Sequence, residues 1–329
     1  MNASVRVATA TLFRQPTGDR PADEPALAAV TDVRRWVAGL DDKERMRPAV
    51  VTQALLGEHV VVEEERDGWS RVVVTGQPAT DLDTRGYPGW LPTHQLAPSP
   101  AVSSSAASSS AASSSAASSS AASSPEGPDF VVAVTATTLR DAPDGDLVLP
   151  SVVLGTHLRP ATGHPMAARR RSNAADGWSA VCVPGFDEPL WARTLDLSRT
   201  PSGPVRPRDV LKTATMMREV AYVWGGLSPF GIDCSGLVHL SFRRHGVTLP
   251  RDAYNQAAAT QPLEFGEEKP GDLYFFARPG ERVHHVGFVA AAPRGDRRVM
   301  LHACSAKGEV VIEELTGDRA ATLVSTHRP

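Results

Sequence analysis

A low-complexity segment divides this 329-residue chain. From Ser103 to Ala122 the sequence repeats Ser-Ser-Ser-Ala-Ala four times before it reaches Pro125. Side chains this small bury too little apolar surface to offset the entropy of ordering the backbone, so residues 99–128 are predicted to form a flexible linker. The chain must therefore fold as separate units on either side of this segment, and its length allows two or three.

The segments that flank the linker resemble each other. Asp-Gly-Trp occurs at 67–69 and again at 176–178, each time before an alternating strand, and each copy then reaches a second tryptophan, Trp90 or Trp191. Short alternating strands separated by turns are typical of small antiparallel β barrels. We therefore expect one barrel over 1–98 and another over 129–198. The first carries an insertion at 25–47 whose apolar residues recur at helical spacing. The helix that this spacing predicts is expected to pack on the barrel and bury Trp36.

Composition and charge exclude several classes of protein. The net charge of -3 gives no electrostatic basis for binding nucleic acid or an anionic membrane. No apolar run is long enough to span a membrane, and the N-terminus lacks the basic and apolar regions of a signal peptide. The three cysteines are too few for a disulfide scaffold and fit a reducing compartment. We expect a cytoplasmic monomer with neither nucleic acid nor membrane as partner.

The remaining unit, 204–329, has an α+β pattern. Helical spacing is expected at 209–220, 234–245 and 253–259, and strand-like runs follow at 273–277, 283–290, 299–303 and 310–314. Asp252 immediately precedes the third helix and is expected to cap it.

Cys234 falls at the start of an apolar helix, behind a glycine-rich approach loop. A thiol in that position faces unpaired backbone amides and the positive end of the helix dipole, which favour the nucleophilic thiolate. The same amides are suited to stabilising an oxyanion during acyl transfer. Cys234 is therefore the candidate nucleophile.

Two histidine-bearing strands follow the cysteine. Adjacent residues on a strand face opposite ways, so only one of His284 and His285 is able to face Cys234. His302, on a neighbouring strand, is placed to orient that base, which gives a Cys-His-His arrangement. Cysteine and histidine also bind zinc, but no CxxC or HxxxH spacing supports a metal site. No metal or organic cofactor is expected.

Six motifs occur between Pro207 and Glu314 in a fixed order: Tyr-x-Trp-Gly-Gly, Asp-Cys-Ser-Gly-Leu, Leu-Pro-Arg-Asp, Pro-Gly-Asp-Leu, His-Val-Gly and His-Ala. Together they resemble the NlpC/P60 family of papain-like cysteine peptidases. The resemblance implies a papain-like domain preceded by two bacterial SH3 barrels. It implies Cys234 as nucleophile, His285 as base because the family histidine precedes Val-Gly, and His302 as the orienting residue. Tyr222 is implied to place its hydroxyl near the oxyanion.

Paired SH3 barrels before such a domain resemble the γ-D-glutamyl-L-diamino acid endopeptidases. These enzymes cut peptidoglycan stem peptides after L-Ala-γ-D-Glu and require a free N-terminal L-alanine, which implies murein peptide recycling and release of L-Ala-D-Glu. By that resemblance the D-Glu and L-Ala positions are lined by Trp224, Asp233, Ser235 and Asp252. Two residues of the first barrel, Glu58 and Tyr87, are the candidates for binding the N-terminal ammonium group of the substrate. Ala253 stands where the family commonly has serine, so one hydroxyl contact to substrate is missing.

Three other functions fit parts of the pattern. A secreted wall endopeptidase or lysin would use the barrels as wall anchors, although no export signal supports it. A binding module with an inactive peptidase fold conflicts with the presence of Cys234, His285 and His302. Acyl or amide transfer on the same fold would differ in its products.

Overall fold

The computed structural model describes residues 1–16, 20–47, 49–99, 130–162, 177–201 and 203–329. The predicted linker, 99–128, lies outside the described residues apart from its first position. Within the described ranges, no helix is long and apolar enough to cross a membrane.

The N-terminal unit is a seven-stranded antiparallel barrel with the strand order β3-β2-β6-β5-β4-β1-β7. Its strands are β1 (Asn2–Val5), β2 (Thr9–Phe13), β3 (Val50–Leu55), β4 (His59–Arg66), β5 (Trp69–Val74), β6 (Tyr87–Pro92) and β7 (Leu96–Pro98). Side chains that alternate inward along these strands form one buried cluster of valine, leucine and alanine.

The second unit repeats this design strand for strand. Its order is β10-β9-β13-β12-β11-β8-β14, which is the order of the first barrel with seven added to each strand number. The strands are β8 (Phe130–Val132), β9 (Ala136–Arg140), β10 (Leu147–Val153), β11 (His157–Pro160), β12 (Trp178–Cys182), β13 (Leu190–Arg193) and β14 (Leu197–Arg199). The prediction of two barrels of one design is confirmed.

The insertion between β2 and β3 is helical but broken into three short helices, α1 (Glu24–Leu27), α2 (Val33–Ala38) and α3 (Asp42–Arg45). The breaks follow the sequence, because Asp32 and Asp41 each accept a hydrogen bond from a backbone amide three residues on and so start new helices. Trp36 is buried as expected, and its indole donates to Asp23 Oδ1 at 3.1 Å. Val223 of the C-terminal unit packs into the same cluster, so the insertion supports the approach loop of the cysteine.

The C-terminal unit packs helices on one six-stranded sheet of order β17-β22-β18-β19-β20-β21. The helices are α4 (Pro207–Thr215), α5 (Cys234–Arg243), α6 (Ala253–Ala259) and α7 (Gly317–Ala321). The sheet contains β17 (Gln261–Leu263), β18 (Leu273–Phe276), β19 (His285–Arg294), β20 (Arg297–Cys304), β21 (Glu309–Glu314) and β22 (Leu323–Arg328), and a small hairpin pairs β15 (Leu227–Ser228) with β16 (Gly231–Ile232).

Helix α5 is the central element of this unit. Every residue from Cys234 to Phe242 is buried, and Phe242 stacks on Phe288 of β19 with ring centroids 6.1 Å apart. The helix therefore lies directly against the strand that begins at His285, as the α+β prediction requires.

Candidate active site

Cys234 is the first residue of α5 and points into the seam between that helix and β19. Asp233 caps the helix by accepting hydrogen bonds from Gly236 N at 2.6 Å and, through its other oxygen, from Gly225 N at 3.0 Å. The thiol interacts with the backbone amides of Ser235 and Val286. Since Val286 directly follows His285, the helix brings the thiol to the strand that carries the candidate base.

Burial acts on Cys234 in the opposite direction to the helix N-terminus. Burial, followed by repulsion from the Asp233 carboxylate, raises the pKa of Cys234 to about 12 despite the two amides. Burial also holds the pKa of His285 well below its ordinary value. Full burial disfavours a charge by up to about 4–7 kcal/mol, whereas a helix N-terminus contributes only about 0.3–1 kcal/mol. Both shifts favour a neutral thiol and a neutral imidazole over the ion pair, so transfer of the thiol proton to His285 belongs to the step in which the nucleophile attacks.

The two adjacent histidines separate as strand alternation predicts. His284 is exposed at the cavity mouth, whereas His285 is buried. Nε2 of His285 lies 2.8 Å from Nδ1 of His302, and the two rings meet edge to face with centroids 4.9 Å apart. The two histidines are therefore in direct contact, and the Cys234 thiol reaches the amide of Val286, the residue after His285.

Gly287 makes the close approach of β19 and β20 possible. A Cβ atom at this position would lie 2.8 Å from His302 Cβ and 2.5 Å from Met300 Sδ. Real Cβ atoms essentially never approach other heavy atoms this closely, so any larger residue would push His302 away from His285. The glycine of the His-Val-Gly motif is therefore needed for the spacing of the two histidines.

Arg251 is a site residue to which the sequence assigned no role. It is fully buried and donates from its two terminal guanidinium nitrogens to the two oxygens of Asp233, at 2.9 and 2.7 Å. It also donates to Ser235 Oγ at 3.1 Å and to Thr52 Oγ1 of the first barrel at 2.9 Å. Asp233 and Ser235 do line the cavity, but both oxygens of Asp233 are already paired, so this carboxylate holds the nucleophile in place and is not free to bind substrate.

A cavity of about 810 Å³ lies between the first barrel and the C-terminal unit, in front of Cys234. Residues of both units line it, among them Tyr87, Pro88, Trp90, Tyr222, Trp224, Asp252, Ala253, Tyr254 and Arg282. Trp224 is half exposed at its mouth, and its backbone amide donates to Arg45 O of the helical insertion at 2.8 Å. Burial and the neighbouring Cys234 raise the pKa of Tyr222, so its phenol stays protonated and able to donate.

Asp252 faces this cavity and does not cap α6 through its side chain, contrary to the sequence prediction. Its carboxylate accepts a hydrogen bond from the Tyr87 hydroxyl at 3.2 Å. The Tyr254 hydroxyl also lies 3.2 Å from it, but the shorter hydrogen bond of that hydroxyl goes to Asp81, at 2.7 Å. Burial, the largest cause, raises the pKa of Asp252 above its ordinary value. The result is a half-buried carboxylate at the wall of the cavity, bound by the Tyr87 phenol and beside that of Tyr254.

The prediction that Glu58 grips the substrate ammonium is wrong. Glu58 is not among the described residues that line the cavity, and its carboxylate forms a buried ion pair with Arg243 at 2.7 Å. Its other oxygen accepts hydrogen bonds from Leu55 N and Gln77 Nε2. Arg243 in turn donates to Gly155 O of the second barrel at 3.1 Å. Glu58 therefore belongs to the junction of the three units, and Tyr87 is the candidate that does reach the site.

The loop before β6 clamps the first barrel onto α6. Asp81 accepts hydrogen bonds from Tyr254 Oη at 2.7 Å and Asn255 Nδ2 at 2.9 Å, and Pro78 O accepts from Arg251 N at 3.1 Å. The first barrel is therefore one wall of the candidate active site.

His302, Cys304 and Glu313 form the one group of potential metal ligands found among the described residues, with donor atoms within 4.8 Å of one another. Two cations already occupy this position, because Lys307 binds Glu313 at 2.6 Å and Arg319 lies 3.4 Å from Cys304 Sγ. The positive charges would repel a divalent ion. The group therefore fits a hydrogen-bonded arrangement better than a metal centre.

Comparison with known proteins agrees with this geometry. Residues 219–327 match the NlpC/P60 family, and residues 47–96 match the bacterial dipeptidyl-peptidase SH3 domain. The C-terminal unit is thus an NlpC/P60 domain, and part of the first barrel is a bacterial SH3 domain.

Two relatives match this chain over almost its whole length. This chain is 29% identical over 330 residues to the gamma-D-glutamyl-L-lysine dipeptidyl-peptidase of Bacillus cereus (strain ATCC 10987 / NRS 248). The alignment covers 96% of this chain and 90% of that protein. The protein of the same name from Bacillus subtilis (strain 168) is 27% identical over 322 residues, covering 96% and 94%. A crystal structure of an NlpC/P60 family protein from Bacillus cereus ATCC 10987 matches with a TM-score of 0.81 and 26% identity, covering 100% of this chain and 99% of that chain.

Proposed function

We propose that this peptidase hydrolyses the γ-D-glutamyl-L-diamino acid bond of peptidoglycan stem peptides that carry a free N-terminal L-alanine, and releases L-Ala-D-Glu. The observation that carries the proposal is the closed wall of the cavity beside Cys234, where Asp252 and Tyr87 meet across the domain junction. The names of the two relatives support the choice of bond.

The free amine is recognised by the paired Asp252 and Tyr87. The Tyr87 hydroxyl donates its proton to Asp252, so its own lone pairs remain to accept an N–H of the ammonium, while the carboxylate supplies the negative charge. A blocked amine would leave this half-buried carboxylate without its partner, which costs more than a hydrogen bond at the surface. The wall formed by the first barrel also limits how far the peptide extends beyond the alanine.

In the proposed reaction, Cys234 attacks the γ-carbonyl of D-glutamate while His285 takes the thiol proton. His285 then gives that proton to the departing amine of the diamino acid, which leaves a thioester on Cys234. In this proposal the oxyanion is stabilised by the Ser235 backbone amide at the start of α5, which bonds the thiol, and by the phenol of Tyr222, whose pKa the neighbouring Cys234 helps to raise. Water, deprotonated by His285, attacks the thioester and releases L-Ala-D-Glu.

A recycling role in a reducing compartment is part of the proposal. All three cysteines are free thiols, which fits such a compartment. The alternative, an endopeptidase anchored to intact wall by its SH3 domains, is disfavoured because the first barrel is committed to the cavity. Cell fractionation with an antibody, and digestion of purified sacculi, separate the two roles.

The decisive assay compares L-Ala-γ-D-Glu-L-Lys, the same peptide with meso-diaminopimelate, and an N-acetylated copy of each. We expect cleavage of the free peptides only, with L-Ala-D-Glu as the product and no activity in Cys234→Ala. Equal cleavage of free and acetylated peptides would refute the recognition of the amine. Release of material from intact sacculi at a comparable rate would favour the wall endopeptidase.

A further inference from the structure

The hydrogen-bonded chain behind the nucleophile does not end at His302. His302 Nε2 lies 2.9 Å from Glu313 Oε1 on the neighbouring strand β21. The register explains the contact, because Met300 pairs with Glu313 and His302 pairs with Val311, which places Glu313 diagonally from His302 on one face of the sheet. The side chains of His285, His302 and Glu313 therefore form a continuous row from the site toward solvent.

Glu313 is kept ionised by its own neighbours. Its second oxygen binds Lys307 Nζ at 2.6 Å, and Arg319 lies 3.6 Å from the oxygen that contacts His302. Although burial acts to raise it, hydrogen bonds from Lys307 and His302 hold the pKa of Glu313 below its ordinary value. An ionised carboxylate accepts hydrogen bonds and donates none.

Because Glu313 only accepts, it determines which ring nitrogen of each histidine in the row carries a proton. Nε2 of His302 must carry a proton and donate it. Burial, then the charge of Arg319, lowers the pKa of His302 to about 4, so at neutral pH its Nδ1 has no proton and accepts. Nε2 of His285, 2.8 Å away, must then be the donor of that contact. Nδ1 of His285 is left with a free lone pair.

We propose that Glu313 is a positioning residue that fixes the tautomers of both histidines and so makes Nδ1 of His285 the nitrogen that receives the thiol proton. The inference goes beyond the proposed substrate and does not depend on it, since it concerns only the row Cys234, His285, His302 and Glu313. The charged and titratable groups that face His302 are His285, Glu313, Lys307 and Arg319, with Cys304 beside Arg319. Of these, Glu313 alone is within hydrogen-bonding distance of Nε2.

The test uses Glu313→Gln in the full chain, with Glu314→Gln as the matched control. Glu314 is the next residue on the same strand, but it is exposed and pairs with Arg297 at 2.7 Å. A glutamine keeps the size of the side chain and is able to donate to His302 as well as accept from it, so the tautomer is no longer imposed. Where a histidine binds a metal, loss of the partner on its other nitrogen costs about 10–100-fold in metal affinity or activity, and we expect a loss of similar size here.

Two readouts distinguish positioning from folding and from substrate choice. Nitrogen-15 NMR of the imidazoles reports which nitrogen of His285 is protonated, and the rate of Cys234 alkylation by iodoacetamide, located by peptide mapping, reports base assistance without any peptide substrate. In the parent and in Glu314→Gln we expect an unprotonated Nδ1. In Glu313→Gln we expect partial protonation of Nδ1 and alkylation and kcat about 10–100-fold slower with an unchanged KM.

Unchanged tautomer signals and alkylation within twofold of the parent in Glu313→Gln would overturn the proposal, even if the peptide specificity proves different. Glu313→Asp adds an independent comparison, because it restores the charge and should recover the Nδ1-unprotonated form at least in part. Equal tautomer disturbance in Glu313→Asp and Glu313→Gln would also contradict the role of the charge.

Discussion

Replacing Asp252 with asparagine should abolish the preference for a free amine while leaving the fold intact. The asparagine side-chain oxygen still accepts the Tyr87 hydroxyl, so the shape of the wall is kept, but the charge that attracts the ammonium is lost. A hydrogen bond to a charged group contributes about 1.5–3 kcal/mol. At about 1.4 kcal/mol for each tenfold change, kcat/KM for L-Ala-γ-D-Glu-L-Lys should fall by about 10- to 150-fold.

The acetylated peptide gives the internal comparison for this variant. It lacks the ammonium already, so Asp252→Asn should change its slow cleavage by less than about threefold, and the ratio of free to acetylated rates should collapse. Asp81→Asn is the matched control, because Asp81 also binds the Tyr254 hydroxyl, at 2.7 Å, but is not among the described residues lining the cavity. An equal loss on both peptides, or a similar collapse in Asp81→Asn, would refute the assignment of the ammonium to Asp252.

Three further outcomes follow from the geometry. Gly287→Ala should separate the histidines and lower kcat by at least tenfold, because the added methyl would lie 2.8 Å from His302 Cβ. The same clash should lower the free energy of unfolding by about 1–3 kcal/mol. Full activity would contradict the close packing. Arg243→Met should lower the free energy of unfolding by about 3–5 kcal/mol by leaving Glu58 buried without its partner, and adding Glu58→Gln should recover part of that loss in a denaturant titration. In a pH profile, kcat/KM for the free peptide should fall above about pH 8, where the substrate α-amine loses its proton. It should also fall on the acid side, where Asp252 becomes protonated. Because the pKa of Asp252 is raised, this acid limb should lie at a higher pH than an ordinary carboxyl would give. Asp252→Asn should flatten both limbs, and a profile that is unchanged in this variant would argue against the ion pair.

Much of the fold was predictable because it depends on short-range patterns. The Asp-Gly-Trp turns and alternating strands predicted both barrels, and helix α6 begins and ends at the predicted residues. The choice between His284 and His285 followed from strand alternation together with the family motif. These features depend on neighbours within a few residues, which the sequence displays directly.

The errors arise where distant segments decide the outcome. Glu58 was a candidate for binding the substrate ammonium, but its partner Arg243 lies in another unit of the fold. The helix start predicted a thiolate at Cys234, whereas complete burial and the charge of Asp233 oppose it. Asp252 occupies a helix-cap position, yet its side chain does not cap the helix and instead accepts from Tyr87 at the cavity. Glu313 belongs to no motif, and only the register of β20 and β21 brings it to His302.

The hydrogen bonds of Arg251 and its neighbours bear on how this protein can be divided. Thr52 accepts from the Arg251 guanidinium, Gln53 accepts from Leu227 N at 2.8 Å, and both acceptors belong to the first barrel. A peptidase domain cut out on its own would expose these donors along with the residue that clamps Asp233. The smallest exchangeable part is therefore the barrel and the peptidase domain together, so a graft of one without the other would transfer neither the pocket nor the support of its nucleophile.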